Sequence, residues 1–163
     1  MVPSRRHRLF SGAWLLLTSI LGCLKRMDSE RRKSVLVIEK QPNYTQLLVK
    51  QIMFAGLDPV IAVTGEGGLR KALEYHPDLI LLELDLTDMD GLELVSLLRE
   101  KSQLDKIPIV AMSIFPYMKT AALYGGCDDF LKKPVRMIDL MAHLRHFLHG
   151  ESLMQPYHRV LAG

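Results

Sequence analysis

An α/β fold is predicted for this chain: a (βα)5 arrangement with one doubly wound, five-stranded parallel sheet. Three observations carry it. Short apolar segments rich in β-branched residues alternate with longer amphipathic ones through residues 34–150. The short segments are apolar throughout instead of alternating, as strands are when both faces of a sheet are covered. Polar residues then stand at or just beyond their ends: Glu39 and Lys40, Glu83, Ser113 and Lys133. In an open parallel sheet, function gathers outside the carboxyl ends of the strands, beside the point where strand order reverses.

The elements follow in order. A strand over 35–38 leads through Pro42, whose missing N–H suits the first turn of a helix over 43–55. Gly56 suits the end of that helix. A strand over 59–63 leads to Gly65-Glu66-Gly67-Gly68, which lacks the Lys-Ser/Thr of a phosphate-binding loop and reads as a turn into a helix over 67–75. His76-Pro77-Asp78 breaks this helix ahead of a strand over 79–82. Helices over 92–100, 117–124 and 137–149 and strands over 107–112 and 130–131 complete the alternation. Pro108 falls at the entry of its strand, where a lost donor matters least.

The chain has 163 residues, room for one domain and short flanks. Residues 1–33 read as an N-terminal extension. Their apolar run, 9–24, follows Arg5-Arg6-His7-Arg8 and is signal-like, but it is shorter than the roughly 20 residues of a bilayer span. Met27 begins a polar leader that runs straight into the first strand, so an upstream extension without structure is the favoured reading. Residues 151–163 read as a short C-terminal tail. The extension carries eight Lys/Arg against two acids; residues 34–163 carry thirteen against sixteen. The folded part is therefore mildly acidic and offers no basic stripe for nucleic acid. Cys23 and Cys127 imply neither a disulfide framework nor a zinc site.

The run from Leu69 through His76-Pro77-Asp78 to Leu82 resembles response-regulator receiver domains, the CheY-like family. So do Met89-Asp90-Gly91-Leu92-Glu93-Leu94, Pro108-Ile109-Val110-Ala111-Met112-Ser113 and Lys132-Lys133-Pro134. The resemblance spans residues 34–150. It implies a flavodoxin-like fold that takes a phosphoryl group from a histidine kinase onto an aspartate ending the third strand. It also implies two acids after the first strand that hold Mg²⁺, and a hydroxyl residue and a lysine that bind the phosphoryl oxygens. The state is reported on the helix 4–strand 5–helix 5 face. By the same resemblance Glu83 stands at the phosphoacceptor position, Glu39 and Lys40 at the acid pair, and Ser113, Phe130 and Lys133 at the switch and phosphate-binding positions. Tyr117, Met118 and Phe130 are candidates for the partner surface.

The departures lie where the chemistry would occur. Glu83 is one methylene longer than aspartate. Lys40 reverses the charge of a metal ligand and is expected to pair with Glu39 or Glu83. Ile114 follows Ser113 where a small residue is usual, and Thr87 replaces a common proline. Two readings of Glu83 stay open: imitation of a phosphorylated aspartate, reaching toward Ser113 and Lys133, or plain salt bridging. The expectation is an atypical, stand-alone receiver-like module of a two-component phosphorelay. It is not an enzyme, needs no cofactor, is cytoplasmic and non-membrane, and binds histidine kinases or other signalling proteins. Homodimerisation is left open. One alternative is a phosphorylatable regulator using Mg²⁺ with Glu83 or Asp85 as acceptor; another is a flavodoxin-like enzyme of a different class.

Other signals read as structural. Asp85, Asp88 and Asp90 lack the alternation of a calcium loop and read as a solvated loop, with Asp90 at a helix start. His143, His146 and His149 flank an apolar helix face. Nothing beside Cys127 suggests an activated thiol. The loop 114–118 is unexpectedly apolar; it either tucks into the domain or forms an exposed patch.

Overall fold

The computed structural model describes residues 31–151, and a compact unit begins at Lys33. The proposed extension before residue 31 and tail after residue 151 lie outside the described residues. Five strands alternate with five helices. The strands are β1 (Ser34–Ile38), β2 (Asp58–Ala62), β3 (Leu79–Glu83), β4 (Ile109–Ser113) and β5 (Asp129–Lys132). The helices are α1 (Pro42–Phe54), α2 (Gly65–Tyr75), α3 (Gly91–Arg99), α4 (Met118–Tyr124) and α5 (Met137–His149). All pairs are parallel in the order β2-β1-β3-β4-β5. The order reverses between β1 and β3, so the ends of these two strands form the switch point.

Period-two alternation within the apolar strands sorts side chains into two layers. Leu36, Ile38, Ile80, Leu82 and Ala111 pack with Ala72 of α2, Leu94, Val95 and Leu98 of α3 and Ala122 of α4. Val35, Val37, Leu79, Leu81, Val110 and Met112 pack with Leu48 and Ile52 of α1 and Leu140, Leu144 and Leu148 of α5. Each fully buried aliphatic side chain contributes roughly 1.5–3 kcal/mol, so either layer outweighs any single polar contact. Lys33 donates from its ammonium to the Leu148 carbonyl, joining the approach to β1 to the end of α5.

The punctuation works as the residue types require. Thr64 caps α2 by accepting from Gly67 N–H, and His76 ends that helix at φ 45° ahead of Pro77. Asp90 caps α3, accepting Leu92 N–H at 2.7 Å. Gly91 has no alternative: a Cβ there would lie 2.5 Å from Leu84 Cα. β4 begins at Ile109, two residues later than expected, although the Pro108 carbonyl still accepts from Ile80 N–H at 2.9 Å. β5 is longer than its two-residue apolar signal because Asp129 and Lys132 also pair with β4. Among the described residues no helix is long and apolar enough to cross a membrane.

Candidate functional site

The site lies at the carboxyl ends of β1, β3 and β5. Glu39 follows β1 and extends its ladder, donating its N–H to the Ala62 carbonyl at 3.0 Å. Glu83 is the last residue of β3. Lys133 follows β5 and is tied by its N–H to the Ser113 carbonyl at 2.8 Å, with a cis peptide bond to Pro134. All three residues are buried, their side chains 0% (Glu39), 5% (Glu83) and 6% (Lys133) exposed.

The three charges form one triad. Lys133 Nζ donates to Glu39 Oε2 at 2.7 Å and also to Glu83 Oε2. The remaining oxygens are engaged as well. Glu39 Oε1 accepts from Gln41 N–H and Glu83 Oε1 from Asp85 N–H, each at 2.9 Å. Every carboxylate oxygen thus has a donor, which a buried charge needs to escape a large desolvation cost. Burial alone would favour a neutral Lys133, but the bonds and charges of Glu39 and Glu83 outweigh it and hold the ammonium above its ordinary pKa.

Lys40 departs from expectation. Its ammonium pairs with Asp85 at 2.7 Å, not with Glu39 or Glu83. Lys133 already fills the space between those carboxylates, and Lys40 turns outward to an acid that is two-thirds exposed. Such an exposed pair is worth about 0–1 kcal/mol. The donor set does not fit a divalent cation. The oxygens of Glu39 and Glu83 are engaged by an ammonium and two backbone N–H groups, and a second ammonium stands at the adjacent position. Among the described residues no group of three or more His, Cys, Asp or Glu is placed to hold a metal ion.

Of the partners foreseen for Glu83, Lys133 is met. The Ser113 hydroxyl instead accepts from Phe115 N–H at 3.1 Å in its own loop. Phe130 corrects the expected partner surface: at 8% exposure it belongs to the α2–α4 core layer and offers no docking face. Met118 packs half-buried against the same layer. Tyr117, at 71%, is the exposed member, with Ile114 and Phe115 beside it in sequence and its ring 5.4 Å from that of Phe115. The apolar loop is therefore an exposed patch.

Three features escaped the sequence. Tyr44, in the first turn of α1, lies with its ring centroid 4.3 Å from Lys133 Nζ, and its hydroxyl accepts from Val135 N–H at 2.8 Å. Burial raises the pKa of its phenol, with Glu39 and Glu83 adding to the effect and Val135 and Lys133 opposing it. Its only sequence signal is a polar aromatic five residues beyond Glu39. His143 meets Asp129 at 3.0 Å and the Asp139 carbonyl at 2.7 Å. Asp88, read as a loop acid, accepts from Gly65 and Glu66 N–H at 2.8 and 3.0 Å; the Glu66 bond and then the Gly65 bond hold its pKa low. Burial pushes the Cys127 thiol up to about 12, which disfavours the thiolate.

The comparisons agree with this architecture. Residues 35–145 match the family model described as the response regulator receiver domain. The polar-differentiation response regulator DivK of Brucella ovis is 28% identical over 118 residues, covering 71% of this chain and 96% of that protein. The transcriptional regulatory protein KdpE of Mycobacterium tuberculosis is 34% identical over 113 residues, covering 68% of this chain but 49% of that longer protein. Among solved structures, a two-component response regulator from Clostridium difficile aligns with TM-score 0.67 and 28% identity over 72% of this chain and 97% of that one. The receiver domain of a sensor histidine kinase from Pseudomonas aeruginosa, solved with a magnesium ion in its active-site cleft, has a TM-score of 0.68 at 21% identity over 72% of this chain and 98% of its own; it shares the fold. The parallel sheet, the placement of Glu39, Glu83, Ser113 and Lys133 at its carboxyl edge and these matches together establish that the chain belongs to the response regulator receiver domain family of two-component signalling.

Proposed function

We propose that this domain signals by binding proteins, without accepting a phosphoryl group and without a divalent cation. The observation that carries this is the single ammonium of Lys133 shared by Glu39 and Glu83, with every oxygen of both carboxylates engaged. A carboxylate that attacks phosphorus is a weaker nucleophile while its oxygens hold hydrogen bonds, and the growing negative charge needs a counter-ion. Here the counter-ion is already divided between two acids. Modification of Glu83 would force Lys133 to leave the two carboxylates and rearrange toward the phosphoryl oxygens inside a buried, fully paired site. The pocket is thus neutralised internally and does not respond to phosphate, and the module acts as a binding surface in the cytoplasm.

The partners on this reading are histidine kinases or other signalling proteins, met partly through Tyr117 and its exposed loop. Large aromatic side chains dominate such interfaces. The mild negative charge of residues 34–163 gives no support for nucleic acid. Incubation with acetyl phosphate and Mg²⁺, followed by intact-mass measurement, tests the proposal. An unchanged mass is expected. A hydroxylamine-labile phosphate adduct on Glu83 or Asp85 overturns it and makes the domain a phosphorylatable regulator.

A further inference from the structure

We propose that Tyr44 is the positioning residue that carries the charge state of the Glu39–Lys133–Glu83 triad to the start of α5. This rests on the reading of the pocket as internally neutralised. It adds an output route from the triad that bypasses Ser113 and Phe130, two of the switch and phosphate-binding positions the family resemblance pointed to. Phe130 is enclosed in the core and the Ser113 hydroxyl is bound within its own loop.

Tyr44 touches both sides of Pro134. Its ring stands 4.3 Å from the Lys133 ammonium, where the negative face of a π-system attracts a cation. Its hydroxyl oxygen accepts the Val135 N–H at 2.8 Å. Val135 is buried in the layer between the sheet and α1/α5, and Tyr44 packs against that layer. Val135 precedes Arg136, the N-cap of α5, whose carbonyl accepts from Asp139 and Leu140 N–H and whose guanidinium is paired with Asp139 in the first turn. The Val135 segment is therefore joined directly to the residue that ties off the entry of α5, and what holds Val135 helps to position that entry.

The coupling runs through one rigid ring. A change in how Lys133 is shared between Glu39 and Glu83 displaces the ammonium under the ring. The ring moves as a unit, so the hydroxyl end shifts against Val135. Beyond Val135 lie Met137 and Ile138, both exposed apolar residues on the first turn of α5. Displacing that turn changes what these residues present to a partner.

The test uses amide chemical shifts of the full chain in four forms: unaltered, Glu83→Gln, Tyr44→Phe and the double variant, with circular dichroism as the folding control. Neither phosphodonor nor Mg²⁺ is added, so the outcome is independent of whether Glu83 accepts phosphate. Tyr44→Phe keeps the ring over Lys133 and removes only the bond to Val135. Glu83→Gln is expected to shift the amides from Val135 through Asp139 in the unaltered background. In the Tyr44→Phe background those shifts should fall to the size seen far from the pocket. Equal shifts in both backgrounds would show that Tyr44 only fills space, and the proposal fails. A second measurement needs no change at Tyr44: with the ring carbon bearing its hydroxyl labelled, Glu83→Gln should lower the pH at which Tyr44 ionises. An unchanged titration also overturns the inference.

Discussion

Replacing Lys133 with methionine tests how much of this domain's stability hangs on one ammonium. The side chains of Lys133, Glu39 and Glu83 are 6%, 0% and 5% exposed, so water cannot substitute for the lost charge. Breaking a buried pair from one side costs about 3–5 kcal/mol, and here two carboxylates are left behind, which points to the upper end. For a domain of this size that lowers Tm by roughly 10–20 °C. The loss is a large share of the roughly 5–15 kcal/mol that small domains possess. Lys40→Met supplies the contrast. It removes an equal charge from the neighbouring position, but its partner Asp85 is 66% exposed, so the expected loss is under about 1 kcal/mol. Urea unfolding near neutral pH, followed by circular dichroism, compares the two. Adding Glu39→Gln and Glu83→Gln to Lys133→Met should restore part of the loss, because neutral amides need no counter-ion. A cost near 1 kcal/mol for Lys133→Met, or no recovery in the triple variant, would refute the account of a buried, mutually neutralising triad.

Two further outcomes concern the frame around the pocket. Burial opposes the charge on His143, but its bonds to Asp129 and the Asp139 carbonyl prevail and raise its pKa; Lys119 and Arg136 lie among the surrounding charges. Both partners are acceptors, so the doubly protonated ring satisfies them best. The stabilisation is full below the unfolded histidine value of about 6.5 and is lost as pH rises through the higher folded value; urea midpoints above about pH 6.5 should fall in the unaltered chain and fall less in His143→Gln. Gly91→Ala forces a Cβ to within 2.5 Å of Leu84 Cα, so a loss of about 1–3 kcal/mol, read from thermal unfolding, is expected.

The fold was legible because its signals are local and repeated. Apolar strands, helix-start Pro42, the His76-Pro77 break and the Asp90 cap each act within a few residues, and all agree. Boundaries slipped where pairing depends on a neighbour. Asp129 and Lys132 join β5 only because β4 supplies Val110 and Ser113 opposite them. The position of Phe130 misled for a related reason. A strand residue can face either covering layer, and sequence position alone did not distinguish a core side chain from one at a docking face; the packing against Ala111 and its neighbours decides it.

The site was legible in its membership and not in its pairing. Glu39, Glu83, Ser113 and Lys133 could be named because each terminates or follows a strand, and strand ends converge by topology. Which cation meets which anion is a competition among long side chains, and sequence distance gives no purchase on it. Lys40 is adjacent to Glu39 in the chain, yet the carboxylate of Glu39 is met by Lys133, 94 residues away. Burial settles the competition: Lys133 sits inside the layer, where attraction to two desolvated carboxylates is strong, whereas Lys40 reaches solvent and an exposed acid at lower cost. The decisive charge in the pocket is therefore the lysine expected by resemblance. Lys40, at the conspicuous substitution, pairs with Asp85 instead. On the proposed reading of the pocket, an acid restored at position 40 alone would leave Glu39 and Glu83 still bound to Lys133. A phosphate-ready pocket requires that triad to open, and the residue that touches both the triad and the segment beyond it is Tyr44.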